Sequence, residues 1–253
     1  MSAIDFHVHV GESLYGGGLG VAELLERMER LEIERAVVIA PKPPGYCLEP
    51  ENRRLRELAE ARPDRFVAFC RVDPWQRERA VAEAASCLAG AGAMAGLFLH
   101  PWEEGFAAND PVVDPVVEVA RRARKPVMIA GGHARVSLAP QVAALVGRFP
   151  DVTFVVTSGG QINISGVALG EARRLFLEHP NTVLETSGIY RLDFIEDMAG
   201  EIGAARIVFG SDAPRFDQEL ELRRVQWAHR SDEDREAFAR GTARRLLGVD
   251  SSQ

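Results

Sequence analysis

Short apolar runs alternate with longer amphipathic segments along almost the whole of this 253-residue chain. Eight of the runs have the length and composition of buried strands: residues 4–9, 36–40, 65–71, 95–99, 126–130, 152–156, 182–185 and 206–209. The segments between them carry the apolar spacing of helices. Strands that are apolar on both faces and separated by helices predict a parallel sheet covered by helices on either side.

Eight strand–helix units in a chain of this length predict an α/β fold, the (β/α)8 or TIM barrel, as a single domain over residues 1–253. An open doubly wound sheet is the alternative, but the sequence lacks the nucleotide-binding turn typical of that fold. The glycines at positions 16–18 match neither a dinucleotide turn nor a phosphate-binding loop. They predict a lid or a plain connector after the first strand.

Charge and cysteine content narrow the classes of function. The formal net charge is −7 and both signs are mixed along the chain, which argues against a nucleic-acid partner or a membrane surface. The three cysteines, Cys47, Cys70 and Cys87, form no Cys-x-x-Cys pair, so a reducing compartment is expected. With neither a leader sequence nor a membrane span expected, we predict a cytoplasmic protein.

Histidines collect where a barrel would place its active site, at the C-terminal ends of the strands. Of six histidines, His7, His9 and His100 fall at such ends, and His133 lies in the loop after another. Because strand side chains alternate between faces, we expect His7 and His9 to point the same way, with Asp5 one layer below them. Two imidazoles on one face form half of a divalent-metal site. Other strand ends carry Lys42, Arg71, Ser158, Glu185 and Asp212.

Several segments together form a specific pattern. They are Ile4-Asp5-Phe6-His7-Val8-His9, Gly96-Leu97-Phe98-Leu99-His100-Pro101, Pro126-Val127-Met128-Ile129, Gly159-Gly160 and Phe209-Gly210-Ser211-Asp212-Ala213-Pro214. This pattern resembles the amidohydrolase superfamily, in the amidohydrolase-related group that includes aminocarboxymuconate-semialdehyde-decarboxylase-like enzymes. The resemblance extends from Ile4 to about Leu247. It implies a barrel enzyme that holds one divalent metal, commonly zinc, and suggests a homodimer.

The resemblance implies a metal-ligand set that this chain keeps only in part. His7, His9 and Asp212 match the family's ligands. The histidines that the family places at the ends of strands five and six are replaced by Ala130 and Ser158. A lysine often found in strand four corresponds to Phe98.

Three protein ligands and an open position for water are enough for a catalytic zinc site. Two histidines with one carboxylate also suit manganese or iron. His133 is a candidate for a further ligand, because Gly131-Gly132 could let it swing back towards the site. In the alternative, no metal binds and the three retained groups hydrogen-bond to one another.

The expected reaction is hydrolysis or non-oxidative decarboxylation of a small molecule. Asp212 would be the general base, and His100 the next candidate for proton transfer or substrate binding. Arg215, Arg135 and Lys42 could bind a substrate carboxylate, and Ser158 could donate a hydrogen bond. A metal-free enzyme and a non-enzymatic binding protein stay open as alternatives, because a barrel hosts many functions.

Overall fold

The computed structural model describes residues 2–90, 92, 94–161 and 166–249. Its strands are β1 Ala3–His9, β2 Gly11–Glu12, β3 Gly18–Leu19, β4 Ile33–Ile39, β5 Phe66–Arg71, β6 Gly96–Leu99, β7 Val127–Ile129, β8 Phe154–Val156, β9 Thr182–Glu185 and β10 Ile207–Val208. Its α-helices are α1 Val21–Arg30, α2 Leu48–Ala61, α3 Glu78–Leu88, α4 Pro101–Glu104, α5 Asp114–Ala123, α6 Ala139–Arg148, α7 Gly166–Glu178, α8 Leu192–Ile202, α9 Gln218–Trp227, α10 Asp232–Glu236 and α11 Thr242–Leu247. Within these residues no helix is both long and apolar enough to cross a membrane.

Eight of the strands form one parallel sheet in the order β1-β4-β5-β6-β7-β8-β9-β10. Backbone hydrogen bonds join its first and last strands. The N–H of Phe6 donates to the carbonyl of Phe209 at 2.9 Å, and the N–H of His9 to that of Ala213 at 2.7 Å. The predicted eight-stranded barrel is therefore confirmed, and each of its strands overlaps one of the eight predicted runs.

Two apolar layers fill the structure. The outer layer packs helices against strands, as with Leu24 and Met28 of α1. The inner layer comes almost entirely from strands: Ile4, Phe6, Val37, Ile39, Phe69, Phe98, Met128, Ala130, Val155, Val183, Val208 and Ala243 of α11. The barrel interior is thus a packed core rather than a pore, and space for a ligand is left at its C-terminal end.

Strand β1 contains a bulge around its first histidine, between Asp5 and Val8. Asp5 pairs with Ala36 and Val8 with Val38, so three steps along β1 match two along β4. Phe6, within this stretch, packs in the inner layer. An extra residue of this kind shifts the alternation of the side chains that follow it.

The bulge overturns one expectation about the site. Val8 belongs to the outer layer, so His7 and His9 on either side of it face the barrel interior. We expected Asp5 on that same face, and this was wrong. The Oδ2 atom of Asp5 instead accepts a hydrogen bond at 2.8 Å from the amide of Gln218, at the start of α9 outside the barrel.

The tight packing of the barrel interior can be tested at Gly96 of β6, which pairs with Phe69 of β5. A Cβ at Gly96 would overlap the Phe69 ring, which already meets the ring of Phe6 edge-on at 5.6 Å. We expect Gly96→Ala to lower the free energy of unfolding by about 1–3 kcal/mol because the core cannot expand. Urea denaturation measures this loss.

The matched control is Gly45→Ala, where an added Cβ meets nothing within 4 Å. Its free energy of unfolding should stay within about 0.5 kcal/mol of the unchanged protein. Equal stability of the two variants would contradict the tight packing of the barrel interior at Gly96.

Candidate metal centre

Three ligand atoms converge at the C-terminal end of the barrel. The Nε2 atoms of His7 and His9 lie 3.2 Å apart. The Oδ1 atom of Asp212 lies 3.6 Å from the first nitrogen and 3.3 Å from the second. The structure therefore brings together three of the residues that the sequence selected as metal ligands.

The spacing of these atoms fits a divalent ion. Two ligand atoms about 2.1 Å from one tetrahedral ion lie roughly 3.4 Å from each other, which is close to all three observed separations. Without a cation, the two imidazole nitrogens would face each other at 3.2 Å with at most one proton between them. Two imidazoles and one carboxylate form a ligand set that suits manganese, iron or zinc.

Burial and neighbouring charges adjust the protonation of the three groups. Burial opposes a charge on His7, but the carboxylates of Asp212 and Glu185 raise its pKa above the usual range. Burial lowers the pKa of His9, and the neighbouring His7 lowers it further. Burial works against ionisation of Asp212, yet the two histidines hold its pKa below the usual range. A neutral His9 and an ionised Asp212 are the forms that bind metal.

The loop after β10 directs Asp212 towards the histidines. The φ angle of Asp212 is +52°, a left-handed conformation that costs roughly 1 kcal/mol outside glycine. Its N–H donates to the carbonyl of His7 at 2.8 Å. The preceding N–H, of Ser211, donates to Oδ1 of Asp5 at 2.9 Å. Asp5 thus contributes from outside the barrel, by holding the loop that carries a ligand.

A second buried carboxylate, Glu185 at the end of β9, lies behind His7. Its Oε2 is 3.5 Å from Nδ1 of His7, and its two oxygens accept the N–H groups of Ser187 at 2.7 Å and Ser158 at 3.1 Å. A Cβ at Gly210 would overlap this carboxylate. A carboxylate in this position favours the proton on Nδ1 and leaves Nε2 of His7 free for a metal.

A cavity of about 320 Å³ opens beside His9 and Asp212. Its wall includes Tyr15, Glu103, Arg215 and the glycines of residues 11–18. Strands β2 and β3 pair as an antiparallel hairpin, so this glycine-rich stretch is a folded element at the edge of the cavity. The volume is typical of a small-molecule site.

His100 and His133 lie next to one another, with their ring centroids 5.2 Å apart. His133 also stacks on Trp102, with a centroid separation of 5.9 Å and an interplanar angle of 14°. Among the described residues at this end of the barrel, one ion could reach ligand atoms of three histidine or carboxylate residues together, and these are His7, His9 and Asp212. The structure does not bring His133 into that group.

The hydrogen bonds of His100 define its role. Its Nδ1 accepts the backbone N–H of Glu103 at 3.3 Å, so the ring proton of the neutral form is assigned to Nε2. Burial and the positive charge of Arg71 lower the pKa of His100 well below the usual range. At neutral pH His100 is therefore a neutral hydrogen-bond donor through Nε2.

The three candidate cations have different surroundings. Arg215 lines the cavity, with Nη2 3.4 Å from Oε1 of Glu103. Lys42 is buried and paired with Glu104 at 3.2 Å. Arg135 is exposed and lies outside the residues that form the cavity wall. Of the three, Arg215 is the cation that faces space in which a substrate could bind.

Ala130, Phe98 and Ser158 occupy the positions at which the family has two histidines and a lysine, and each makes contacts of its own. Ala130 is buried in the inner apolar layer. Phe98 lies against the site, with its ring centroid 5.5 Å from that of His9. Ser158 has a φ of +54° and uses its backbone N–H, rather than its hydroxyl, to reach Glu185. Ala130 and Ser158 supply no ligand in place of the missing histidines, and Phe98 supplies no charge in place of the lysine.

Three charged residues without a predicted role, Glu185, Arg71 and Glu103, lie around the site. Glu185 and Arg71 end predicted strands, which was a usable signal, whereas nothing in the sequence singled out Glu103. Arg71 is fully buried; its guanidinium donates to Glu103, to Glu104 at 2.8 Å and to the carbonyl of Ala40 at 3.0 Å. The site therefore includes a buried ion-pair network beside the metal ligands.

Comparison with known proteins identifies the family. The model of the amidohydrolase family, described as "Amidohydrolase", matches residues 4–249. The chain belongs to this family of enzymes. No curated protein matches the chain.

Solved structures share the fold over their full length. The chain is similar to 2,6-dihydroxybenzoate decarboxylase in complex with 2,6-dihydroxybenzoate, at 19% identity and a TM-score of 0.80, with 99% of this chain and 100% of that chain covered. It is also similar to 5-carboxyvanillate decarboxylase LigW from Sphingomonas paucimobilis, at 15% identity and a TM-score of 0.78. The match covers 98% of this chain and 99% of that chain. A third similar structure is a dihydroxybenzoic acid decarboxylase from Polaromonas sp. JS666 with manganese and 2-nitroresorcinol bound, at 17% identity and a TM-score of 0.76. The match covers 99% of this chain and 98% of that chain. At these identities the comparisons establish the barrel fold.

The contact between Glu185 and His7 predicts a loss of metal affinity in Glu185→Gln. The amide carries no charge to polarise the imidazole, so we expect manganese or zinc to bind about 10–100-fold more weakly. Isothermal titration of metal into the chelator-treated protein measures the change. Glu221→Gln is the matched control, because Glu221 is also buried and accepts a backbone N–H, from Gly188 at 3.0 Å, but touches no ligand. Equal affinities of the two variants would exclude a role for Glu185 in metal binding.

Proposed function

We propose that this amidohydrolase-family protein is a metal-dependent, non-oxidative decarboxylase of a small carboxylic acid. The observation that carries the proposal is the convergence of His7, His9 and Asp212 at a cavity whose wall also holds Arg215. Manganese, iron and zinc all suit this ligand set. Manganese is supported further by two similar decarboxylases whose structures contain it.

The three ligand residues would hold the metal, which as a Lewis acid would polarise a substrate oxygen. Arg215 would bind and orient the carboxylate of the substrate. In the reaction the bond to the carboxylate carbon breaks, carbon dioxide leaves, and the electron pair remains on the neighbouring carbon, which takes up a proton. Asp212 is the first candidate to move this proton, because Oδ1 lies with the histidines and Oδ2 faces Arg215 at 4.0 Å.

The other candidate residues would act at a greater distance. His100 would serve as a hydrogen-bond donor through Nε2 beside Glu103. Lys42 and Ser158 would contribute by fixing Glu104 and Glu185. A role for Arg135 in substrate binding, a homodimer, a cytoplasmic location and a single domain over residues 1–253 stay predictions.

Hydrolysis is the second candidate reaction, and the position of the Asp212 carboxylate on the cavity wall favours it. A carboxylate there can accept a proton from an attacking water. Decarboxylation is preferred because Arg215 supplies a cation for a substrate carboxylate, and because several similar structures are decarboxylases.

The proposal predicts activity that depends on metal and on Asp212. The chelator-treated protein, reloaded with manganese or zinc, is incubated with hydroxybenzoic acids such as 2,6-dihydroxybenzoate and with a panel of aryl esters and lactones. We expect release of carbon dioxide, which should fall by about 10²–10⁴-fold in Asp212→Asn because the variant loses a ligand and a proton carrier. Absorbance and gas analysis report the two reactions separately.

The matched control is Asp217→Asn in the same loop. Asp217 caps α9 by accepting the N–H of Leu220 at 2.9 Å, a role that asparagine fills equally well. Its activity should equal that of the unchanged protein. Activity that survives removal of the metal would favour a metal-free enzyme, and binding of acids without any turnover would favour a binding protein. Ester or lactone cleavage without release of carbon dioxide would establish the hydrolase instead.

A further inference from the structure

We infer that Glu103 forms a subsite for a hydrogen-bond-donating group, so that the ligand of the cavity is a small acid that also carries a hydroxyl or amino group. Glu103 lies on α4, just after β6, and forms part of the cavity wall together with Asp212 and Arg215. The inference rests on the proposed function, because it places an acid in the cavity beside the metal ligands. It adds a second recognition element to the carboxylate site at Arg215.

One oxygen of Glu103 is held by the protein. Its Oε2 accepts a hydrogen bond from Nη2 of Arg71, whose side chain is 0% exposed. Arg71 is held in turn by the carbonyl of Ala40 at 3.0 Å and by Glu104 at 2.8 Å. A planar guanidinium fixed at several points orients its carboxylate partner. The direction of the other oxygen is therefore set by the buried network rather than by solvent.

That other oxygen, Oε1, is only weakly engaged. Its neighbours are Nη2 of Arg215 at 3.4 Å and Nε2 of His100 at 3.6 Å, both longer than a charge-assisted hydrogen bond of about 2.8 Å. A carboxylate oxygen accepts about two hydrogen bonds. Oε1 thus keeps the capacity to accept a proton donor from a molecule in the cavity. The Arg215 side chain is 42% exposed and is free to turn towards a ligand.

The two charges divide the cavity wall into an anion site and a donor site. A ligand carboxylate is attracted to Arg215 and repelled by Glu103. An acid without a donor group would cover Oε1 and leave it with only its two long contacts to Arg215 and His100, which costs binding free energy. An acid with a suitably placed hydroxyl or amino group would satisfy it. The cavity should therefore discriminate between acids by the presence of a donor.

The test compares the binding of benzoate with that of 2-, 3- and 4-hydroxybenzoate to the manganese-loaded full chain by isothermal titration. We expect at least one hydroxybenzoate to bind about 10-fold or more tightly than benzoate. In Glu103→Gln this advantage should fall to about threefold or less. The amide oxygen must face Arg71, which needs an acceptor, so its NH2 group faces the cavity where a donor is of no use.

The matched control is Glu221→Gln, which makes the same change at another buried carboxylate that lies outside the cavity wall. It should keep the preference for the hydroxylated acid, and thermal unfolding of both variants reports any general damage. Equal binding of benzoate and all three hydroxybenzoates, binding of none of them, or equal loss of preference in both variants would overturn the inference. Selective binding that depends on Glu103, without release of carbon dioxide, would refute the proposed decarboxylation and leave the subsite standing.

Discussion

The hydrogen-bonded closure of the barrel between its first and last strands is the constraint on which the site depends. The carbonyl of His7 accepts the N–H of Asp212 at 2.8 Å, and the N–H of His9 donates to Ala213 at 2.7 Å. These bonds bring together ligands from opposite ends of the chain and fix their spacing. The bulge in β1 completes the arrangement, because without it the histidines would leave the interior. A site built on paired strands is held more precisely than one built on loops, and metal binding to it should stabilise the closed barrel.

Buried charge organises the layer around the ligands. An ionised group taken out of water costs several kcal/mol unless it is paired. On one side, Arg71 and Lys42 neutralise Glu103 and Glu104. On the other side, Asp212 and Glu185 face His7 with no arginine or lysine within 3.5 Å of their oxygens in the described contacts. A divalent cation would supply the positive charge that this half of the site lacks, whereas the paired half shapes the cavity wall.

The sequence predicted the barrel well because strand length, apolar composition and alternation with helices are local properties. His7 and His9 were found for the same reason, because they alternate at the end of a strand, whereas Asp212 was identified as a ligand through the resemblance to the amidohydrolase superfamily. The remaining features depend on contacts between distant segments. The position of Asp5 depends on the register between β1 and β4, the role of Glu185 on the space left by Gly210, and that of Glu103 on its pairing with Arg71. Likewise, the two glycines before His133 gave no information on its stacking against Trp102.

In the proposed metal site, three side chains hold the ion in a family member that lacks two of the expected histidines. Anomalous diffraction from crystals of the manganese-loaded protein tests it most directly. We expect one strong peak about 2.0–2.2 Å from Nε2 of His7, Nε2 of His9 and a carboxylate oxygen of Asp212. No peak at these atoms, or a metal held by His100 and His133 instead, would contradict it.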